Sequence, residues 1–223
     1  MTKLEERRRL HAQSLLDFDR AKTAYLLTMN PDFADKTALV AAGMDEAGRG
    51  PLMGPVVTAC VVMPPEPLLC WVDDSKKLSE KRREAVFEEI MACALHVGVG
   101  MASAAEIDAI NILEATRLAM WRAAETVPAD FCLIDAVQDV GLTCLELPVV
   151  RGDAQSYAIA AASIVAKVTR DRLIREMDAR WPVYGFARNK GYGTAEHIAA
   201  LRQYGPCPEH RRSFIGHFVP GGA

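Results

Sequence analysis

No stretch of these 223 residues approaches the run of roughly 20 apolar positions that a membrane-crossing helix requires. The N-terminus is charged from Lys3 to Arg9 and has no apolar core, so it does not read as a secretion signal. Glu5, Glu6, Asp17 and Asp19 argue against a mitochondrial presequence as well. Cysteine is present but unorganised: Cys60, Cys70, Cys93, Cys132, Cys144 and Cys207 include no close pair of the metal-binding kind. They read as buried, reduced thiols, and the chain as cytoplasmic. The five histidines are not spaced as a metal site and read as packing residues or phosphate neighbours. There is no overall excess of positive charge either, since the net charge is −3.

The chain is 50% hydrophobic and long enough to bury a full core, as one domain or a domain with an appendage. Its charge is unevenly placed. From Lys167 onward ten Lys and Arg stand against five Asp and Glu, whereas the residues before it carry sixteen against twenty-four. A carboxylate-rich site beside a basic C-terminal third suits a metallonuclease, although scattered surface charge accounts for the counts equally well.

The stretch that organises the chain is Gly43-Met-Asp45-Glu46-Ala-Gly48-Arg49-Gly50-Pro51-Leu-Met-Gly54-Pro55. It lies between two apolar runs, Ala38 to Met44 and Val56 to Met63. Asp and Gly are poor strand formers, so the first strand is expected to end after Met44, with both acids at the rim of a sheet. Side chains alternate faces along a strand, so Asp45 and Glu46 converge on one ion only if the chain bends there or Glu46 offers its carbonyl. No Lys-Ser or Lys-Thr pair closes the glycine run, which excludes a P-loop, and the spacing is not that of a dinucleotide fingerprint. An ordinary hairpin with a polar tip is one reading. Carboxylates for a cation beside bare backbone and a guanidinium for an anion is the other, and it suits a phosphodiester with its metals.

Asp-Glu-Ala-Gly-Arg-Gly-Pro-Leu-x-Gly-Pro-Val-Val closely resembles the signature of bacterial type 2 ribonuclease H (ribonuclease HII). Matching runs continue to residue 214. Asp73-Asp74-Ser75-Lys76-Lys77-Leu78-Ser79 precedes a helix over about 80–92, with Ser79 as its N-cap. Phe131-Cys-Leu-Ile-Asp135 is a short strand ending in an acid, followed by Ala136 and Val137 where relatives commonly have glycine. Arg151-Gly152-Asp153 leads into an alanine-rich helix reaching Lys167; on its own Asp153 reads as an N-cap. Lys190-Gly191-Tyr192-Gly193-Thr194, with Asn189 where relatives often have His, and Pro208-Glu-His210-Arg211-Arg212-Ser213-Phe214 complete the match.

The resemblance implies a fold, a reaction and a site. The fold is α/β: a ribonuclease H-like mixed five-stranded sheet flanked by helices, with a helical C-terminal cap. Residues 1–34 are expected to form an N-terminal helical extension, 35–180 the catalytic domain and 181–223 a substrate-binding cap. Within these, a helix over 2–28 with Leu4, Leu15, Phe18, Tyr25 and Leu26 on its apolar side is expected. So is a long helix from Ser103 to Thr126, with Ile107, Ile110, Leu113, Leu118 and Trp121 in the core, and a strand from Thr143 to Val150. Asp45, Glu46, Asp135 and Asp153 are the expected catalytic set, holding two Mg²⁺ or Mn²⁺ ions, hard cations that favour carboxylate oxygen. Gly48, Arg49, Gly50 and Tyr192 would read the 2′-hydroxyl at an RNA–DNA junction. Ser75, Lys76, Lys77 and Lys167 would meet phosphates, with an ion pair as the alternative for Lys167. The partners implied are RNA–DNA hybrids and duplex DNA holding embedded ribonucleotides. No membrane, no obligatory protein partner and a monomer are expected. Type 3 ribonuclease H, a non-catalytic nucleic-acid-binding protein of the same fold and a small-molecule phosphoesterase are the rival readings.

Overall fold

The computed structural model describes residues 2–219. Five strands form one mixed sheet in the order β3-β2-β1-β4-β5. They are β1 (Ala41–Ala47), β2 (Val56–Val62), β3 (His96–Ala102), β4 (Phe131–Asp135) and β5 (Leu145–Val149). The first three form an antiparallel meander; β4 runs parallel to β1, and β5 parallel to β4. β1 is thus the central strand, and the C-terminal ends of β1 and β4 lie side by side. The expected fold class is the one observed.

Two features of the sheet depart from expectation. β1 does not stop at Met44 but continues through Asp45, Glu46 and Ala47, because β2 keeps pairing with it: Asp45 faces Ala59, Glu46 faces Thr58 and Ala47 faces Val57. A central strand with a full ladder on this side overrides the weak strand preference of Asp and Glu. β5 is shorter than its apolar run, covering only Leu145–Val149.

Helices cover both faces. On one lies α3 (Ala104–Ala124), capped by the Ser103–Glu106 box. Asn111 interrupts it at φ 70°, its side chain accepting from the amides of Leu113 and Glu114. Ile107 is buried as expected, but Ile110, just before the break, is exposed, and beyond it Leu113 and Trp121 face solvent and Leu118 is half-buried. The buried stripe is instead Ala115, Thr116, Ala119, Met120 and Ala123. Small residues are needed there because a Cβ at Gly100 of β3 would lie 2.0 Å from the Ala119 carbonyl oxygen. The helix backbone touches the sheet.

On the other face, α4 (Tyr157–Arg180) crosses β1 and β2, and its Ala160, Ala161 and Ala162 are fully buried. It is covered in turn by α1 (Lys3–Met29) and α2 (Glu80–Cys93), the latter capped by Ser79 as expected. In α1 the buried residues are Ala12, Leu15, Leu16, Asp19 and Leu26, while Leu4 and Tyr25 are exposed and Phe18 half-buried. Three short helices, α5 (Phe186–Asn189), α6 (Ala195–Tyr204) and α7 (Arg212–Ile215), pack with Leu52 and Met53 around a smaller apolar cluster. Cys60, Cys132 and Cys207 are buried, whereas Cys70, Cys93 and Cys144 are only partly so. Among the described residues no helix is long and apolar enough to cross a membrane.

Candidate metal and nucleic-acid site

The adjacent ends of β1 and β4 bring acids together. One carboxylate oxygen each of Asp45, Asp135 and Asp153 lie within 4.8 Å of one another. At an effective dielectric near 20, two charges at that separation repel by about 3 kcal/mol. Asp45 is buried, and burial together with the charges of Glu46 and Asp135 pushes its carboxyl well above the usual range. Its Oδ1 accepts only the Glu46 amide, at 2.7 Å. Asp135 is raised by burial and by Asp153, against the Gly152 amide that donates to it at 2.6 Å.

Asp153 is not the helix N-cap. It sits in a single 3-10 turn, Gly152–Ala154, and Ser156 caps α4 by accepting from the Ile159 amide. The carboxylate of Asp153 is thereby left free of backbone duty, and its partner is the Lys76 ammonium at 3.2 Å. Burial works against the charge on Lys76, but Asp153, joined by Asp74 and Asp45, outweighs it and the lysine stays above its ordinary value. In this arrangement Lys76 is the cation of the acid cluster.

Glu46 stands apart from the three aspartates. Along the extended β1 the Glu46 side chain leaves the strand on the face opposite Asp45, yet its carboxylate stays near enough for its charge to act on Asp45 and for Asp135 to act on it. Its Oε1 lies 3.5 Å from Arg49 Nη1, and its buried Oε2 has no hydrogen-bond partner. Burial raises its carboxyl, with Arg49 opposing and Asp135 adding to the rise. An orphaned buried carboxylate oxygen beside three crowded aspartates is a donor set suited to a hard dication, all oxygen and excess negative charge.

The other sequence candidates divide. Lys77 turns away from the acids to Asp73 at 3.0 Å, a buried carboxylate that also accepts from Arg8 and pairs with His11 of α1. Ser75 is buried; its amide donates to Ser163 Oγ and its carbonyl accepts from Arg83. Lys167 is paired with Asp171 at 2.7 Å. Most of the basic C-terminal third is compensated in the same way: Arg172 with Glu84 and Glu88, Arg175 with Glu80 and Glu84, Arg188 with Glu196, and Lys190 with Glu80.

Of Gly48, Arg49, Gly50 and Tyr192, Gly50 and Tyr192 are neighbours, while Gly48 lies against Arg170 and the Arg49 side chain against Glu46. Gly48 has φ 99°, and a Cβ there would lie 2.0 Å from Arg170 Nε, so the position demands glycine for internal reasons. A Cβ on Gly50 would sit 3.5 Å from the exposed Tyr192 ring. The loop that holds Tyr192 is tied down by backbone and side chain. Gly191 accepts the Leu52 amide at 2.8 Å, and Asn189 links Tyr184 to the Gly191 amide. The Tyr192 carbonyl accepts from His197 Nδ1 at 2.9 Å. That fixes the tautomers of a buried pair: His197 Nε2 accepts from His210 Nε2 at 3.0 Å, and His210 Nδ1 accepts from the Cys207 amide. Both imidazoles are neutral and held below the usual histidine range by burial, His210 down to about 4 with His197 as its neighbour.

Two residues given no role from sequence dominate this region. Arg170 is 1% exposed and Arg211 0%, and neither has a carboxylate partner among the described residues. Arg170 falls on the stripe Ser163, Ala166, Arg170, Ile174, Met177, a buried helical face, so a cation at helical spacing among apolar residues was the available signal. Arg211 lies in an irregular segment, and no periodicity marks it.

Comparison with known proteins agrees with this site. The family model described as ribonuclease HII matches residues 42–217. The chain is 54% identical to ribonuclease HII of Geobacillus kaustophilus over 175 residues, covering 78% of this chain and 67% of that one. It is 54% identical to ribonuclease HII of Geobacter metallireducens over 184 residues, covering 80% and 86%. The structure of the PCNA:RNase HII complex from Archaeoglobus fulgidus superposes with TM-score 0.67 at 26% identity, covering 77% of this chain and 91% of that one. That structure is of a complex with PCNA, so the expectation of no obligatory protein partner need not hold. α1 precedes the matched region, which begins inside β1. Acids gathered at adjoining strand ends, a glycine loop facing a tyrosine, and a family match across most of the chain lead to one conclusion: the chain belongs to the ribonuclease HII family and is a ribonuclease H hydrolase.

Proposed function

We propose that the protein hydrolyses the phosphodiester on the 5′ side of ribonucleotides in RNA–DNA hybrids and in duplex DNA holding embedded ribonucleotides. The products are a 3′-hydroxyl and a 5′-phosphate, with water as nucleophile. This chemistry serves ribonucleotide excision and RNA primer removal. The observation that carries the reading is the group of Asp45, Asp135 and Asp153 oxygens within 4.8 Å, repelling one another. Asp45, Glu46, Asp135 and Asp153 would hold two Mg²⁺ or Mn²⁺ ions. When bound, the ions neutralise the anionic phosphodiester and activate water.

The chain's own groups do the rest. Lys76 reaches Asp153 and lies at the cluster's edge, where it can meet a phosphate oxygen once the carboxylates are otherwise neutralised. No hydrogen bond among the described residues uses the amides of Arg49 and Gly50, and Gly50 lies beside the exposed Tyr192 ring. Free amides can contact a 2′-hydroxyl, which both donates and accepts, and an exposed ring can stack on the sugar or base. Residues 181–219 contribute Tyr192 and its supports, so this cap would share substrate reading with the loop between β1 and β2.

A duplex carrying one ribonucleotide and a 5′ label tests the proposal. With Mg²⁺ or Mn²⁺ the product should end in a 3′-hydroxyl immediately before the ribonucleotide, and Asp153→Asn should lower the rate by at least about 10³-fold while keeping duplex binding. A cut on the 3′ side, or robust turnover by Asp153→Asn, contradicts it.

A further inference from the structure

The two buried arginines converge on a single target. Arg211 donates to the carbonyls of Gly48 at 2.6 Å, Arg49 at 2.9 Å, Pro51 at 2.8 Å and Gly54 at 2.9 Å. Arg170 donates to the carbonyls of Met53 at 3.2 Å, Pro55 at 3.1 Å and Lys190 at 3.2 Å. Six of these seven acceptors belong to the loop between β1 and β2, and the seventh is two residues from Tyr192.

A buried guanidinium without a carboxylate is costly unless its donors are met, and here carbonyl oxygens meet them. The converse matters more for function. When the carbonyls of Gly48, Arg49 and Pro51 are drawn inward to one rigid fork, their peptide planes are fixed. The amides of Arg49 and Gly50 are then held outward in one orientation. A flexible, glycine-rich loop would otherwise sample many orientations. Lysine cannot replace the fork, because its single nitrogen cannot span four carbonyls spread over seven residues.

The two arginines come from different parts of the chain. Arg170 is on α4, and Arg211 is in the segment that adds an isolated bridge between His210 and Met53. That segment is moored by Asp108 of α3, whose carboxylate accepts from the amides of Arg212 at 2.7 Å and Ser213 at 2.9 Å and from the Ser213 hydroxyl. Arg170 also holds the carbonyl of Lys190, so one side chain sets the spacing between the glycine loop and the tyrosine loop.

We propose that Arg170 and Arg211 are positioning residues for ribose recognition: together they lock the Gly48–Pro55 loop and the Tyr192 loop into one rigid sugar-reading surface without touching the nucleic acid. This rests on the reading that the loop meets the ribonucleotide. Misplacement of a recognition group by about 1 Å costs on the order of 10²-fold in rate, while contacts to the phosphate backbone elsewhere are indifferent to it.

The test uses the full chain and two readouts. One is kcat/KM on a duplex holding one ribonucleotide with Mg²⁺; the other is affinity for the same duplex made wholly of DNA, with Ca²⁺ in place of Mg²⁺. Arg211→Lys and Arg170→Lys should each lower kcat/KM by about 10- to 100-fold and leave the all-DNA affinity within about twofold. A folded lysine variant with wild-type kcat/KM overturns the proposal. So does a parallel loss in both readouts, which marks general damage. If the lysine variants do not fold, Asp108→Ala decides on the same two readouts. This half-buried mooring should give a selective loss of about 3- to 10-fold, and an unchanged kcat/KM or a parallel loss overturns the proposal. Failure of the wild type to cut at the ribonucleotide is a different result, and it refutes the functional reading itself.

Discussion

Two groups of buried charge lie within one small region, and they are treated in opposite ways. The aspartates at the ends of β1 and β4 are crowded, mutually repelling and thinly hydrogen-bonded, and Glu46 has an oxygen with no partner at all. The guanidiniums of Arg170 and Arg211 are buried more deeply still but make seven hydrogen bonds to carbonyls. The contrast separates a site from a scaffold. Charge left unsatisfied in a folded protein is stabilised only by something that arrives from outside, whereas charge fully met from within fixes the backbone around it.

The scaffold side is where removal should cost most stability. Arg211→Met keeps much of the volume and deletes the donors, leaving four loop carbonyls short of a partner. A loss of about 3–5 kcal/mol is expected from unmade buried hydrogen bonds, measured by urea unfolding. A loss under about 1 kcal/mol would mean the loop is held by other contacts.

A smaller effect concerns acid. His210 titrates near 4 in the folded chain against about 6.5 unfolded, so between those values the unfolded state binds more protons. This group's contribution therefore falls as pH is lowered from about 6.5 to 4. Asp19 works the other way: buried on α1, where it accepts the Ala158 amide, it is raised to about 6. Over the window from about 4 to 6 the folded state holds its proton more firmly, so protonation of Asp19 adds stability. Asp19→Asn removes that compensation. The variant should lose stability more steeply than wild type on acidification through this window, and a shallower slope would contradict the assignment of burial as the cause.

The smallest expected change is at the loop after β4. Ala136 has φ 52°, a left-handed conformation that favours glycine. Ala136→Gly should raise stability by about 1 kcal/mol through relief of that strain, or a few degrees in melting temperature, with the acid cluster undisturbed.

How much of this was legible beforehand follows the same division. Asp45, Asp135 and Asp153 could be picked out because each ends or follows an apolar run beside a recognisable motif, and the parallel pairing of β1 and β4 brings them together. The sheet order was available only through the family resemblance. Local pattern misjudged features that depend on neighbours. β1 extends past Met44 because β2 pairs with it, and the buried face of α3 is set by close approach to β3 and the break at Asn111, not by its largest apolar residues. The reading of a basic C-terminal third as a nucleic-acid surface was weakened by ion pairs to α2, which no linear count of charge can show. Arg211 was invisible as a support because its partners are backbone carbonyls about 160 residues away, and backbone carbonyls have no sequence signature.

The most direct test of the contrast is the melting temperature of wild type and Asp45→Asn, each with EDTA and with Mn²⁺. Removing one repelling buried charge should make the variant melt a few degrees higher than wild type in EDTA, and Mn²⁺ should raise the wild type much more than the variant. A variant that melts lower than wild type in EDTA and gains as much from Mn²⁺ would show that the aspartates are satisfied within the fold and do not wait for a cation.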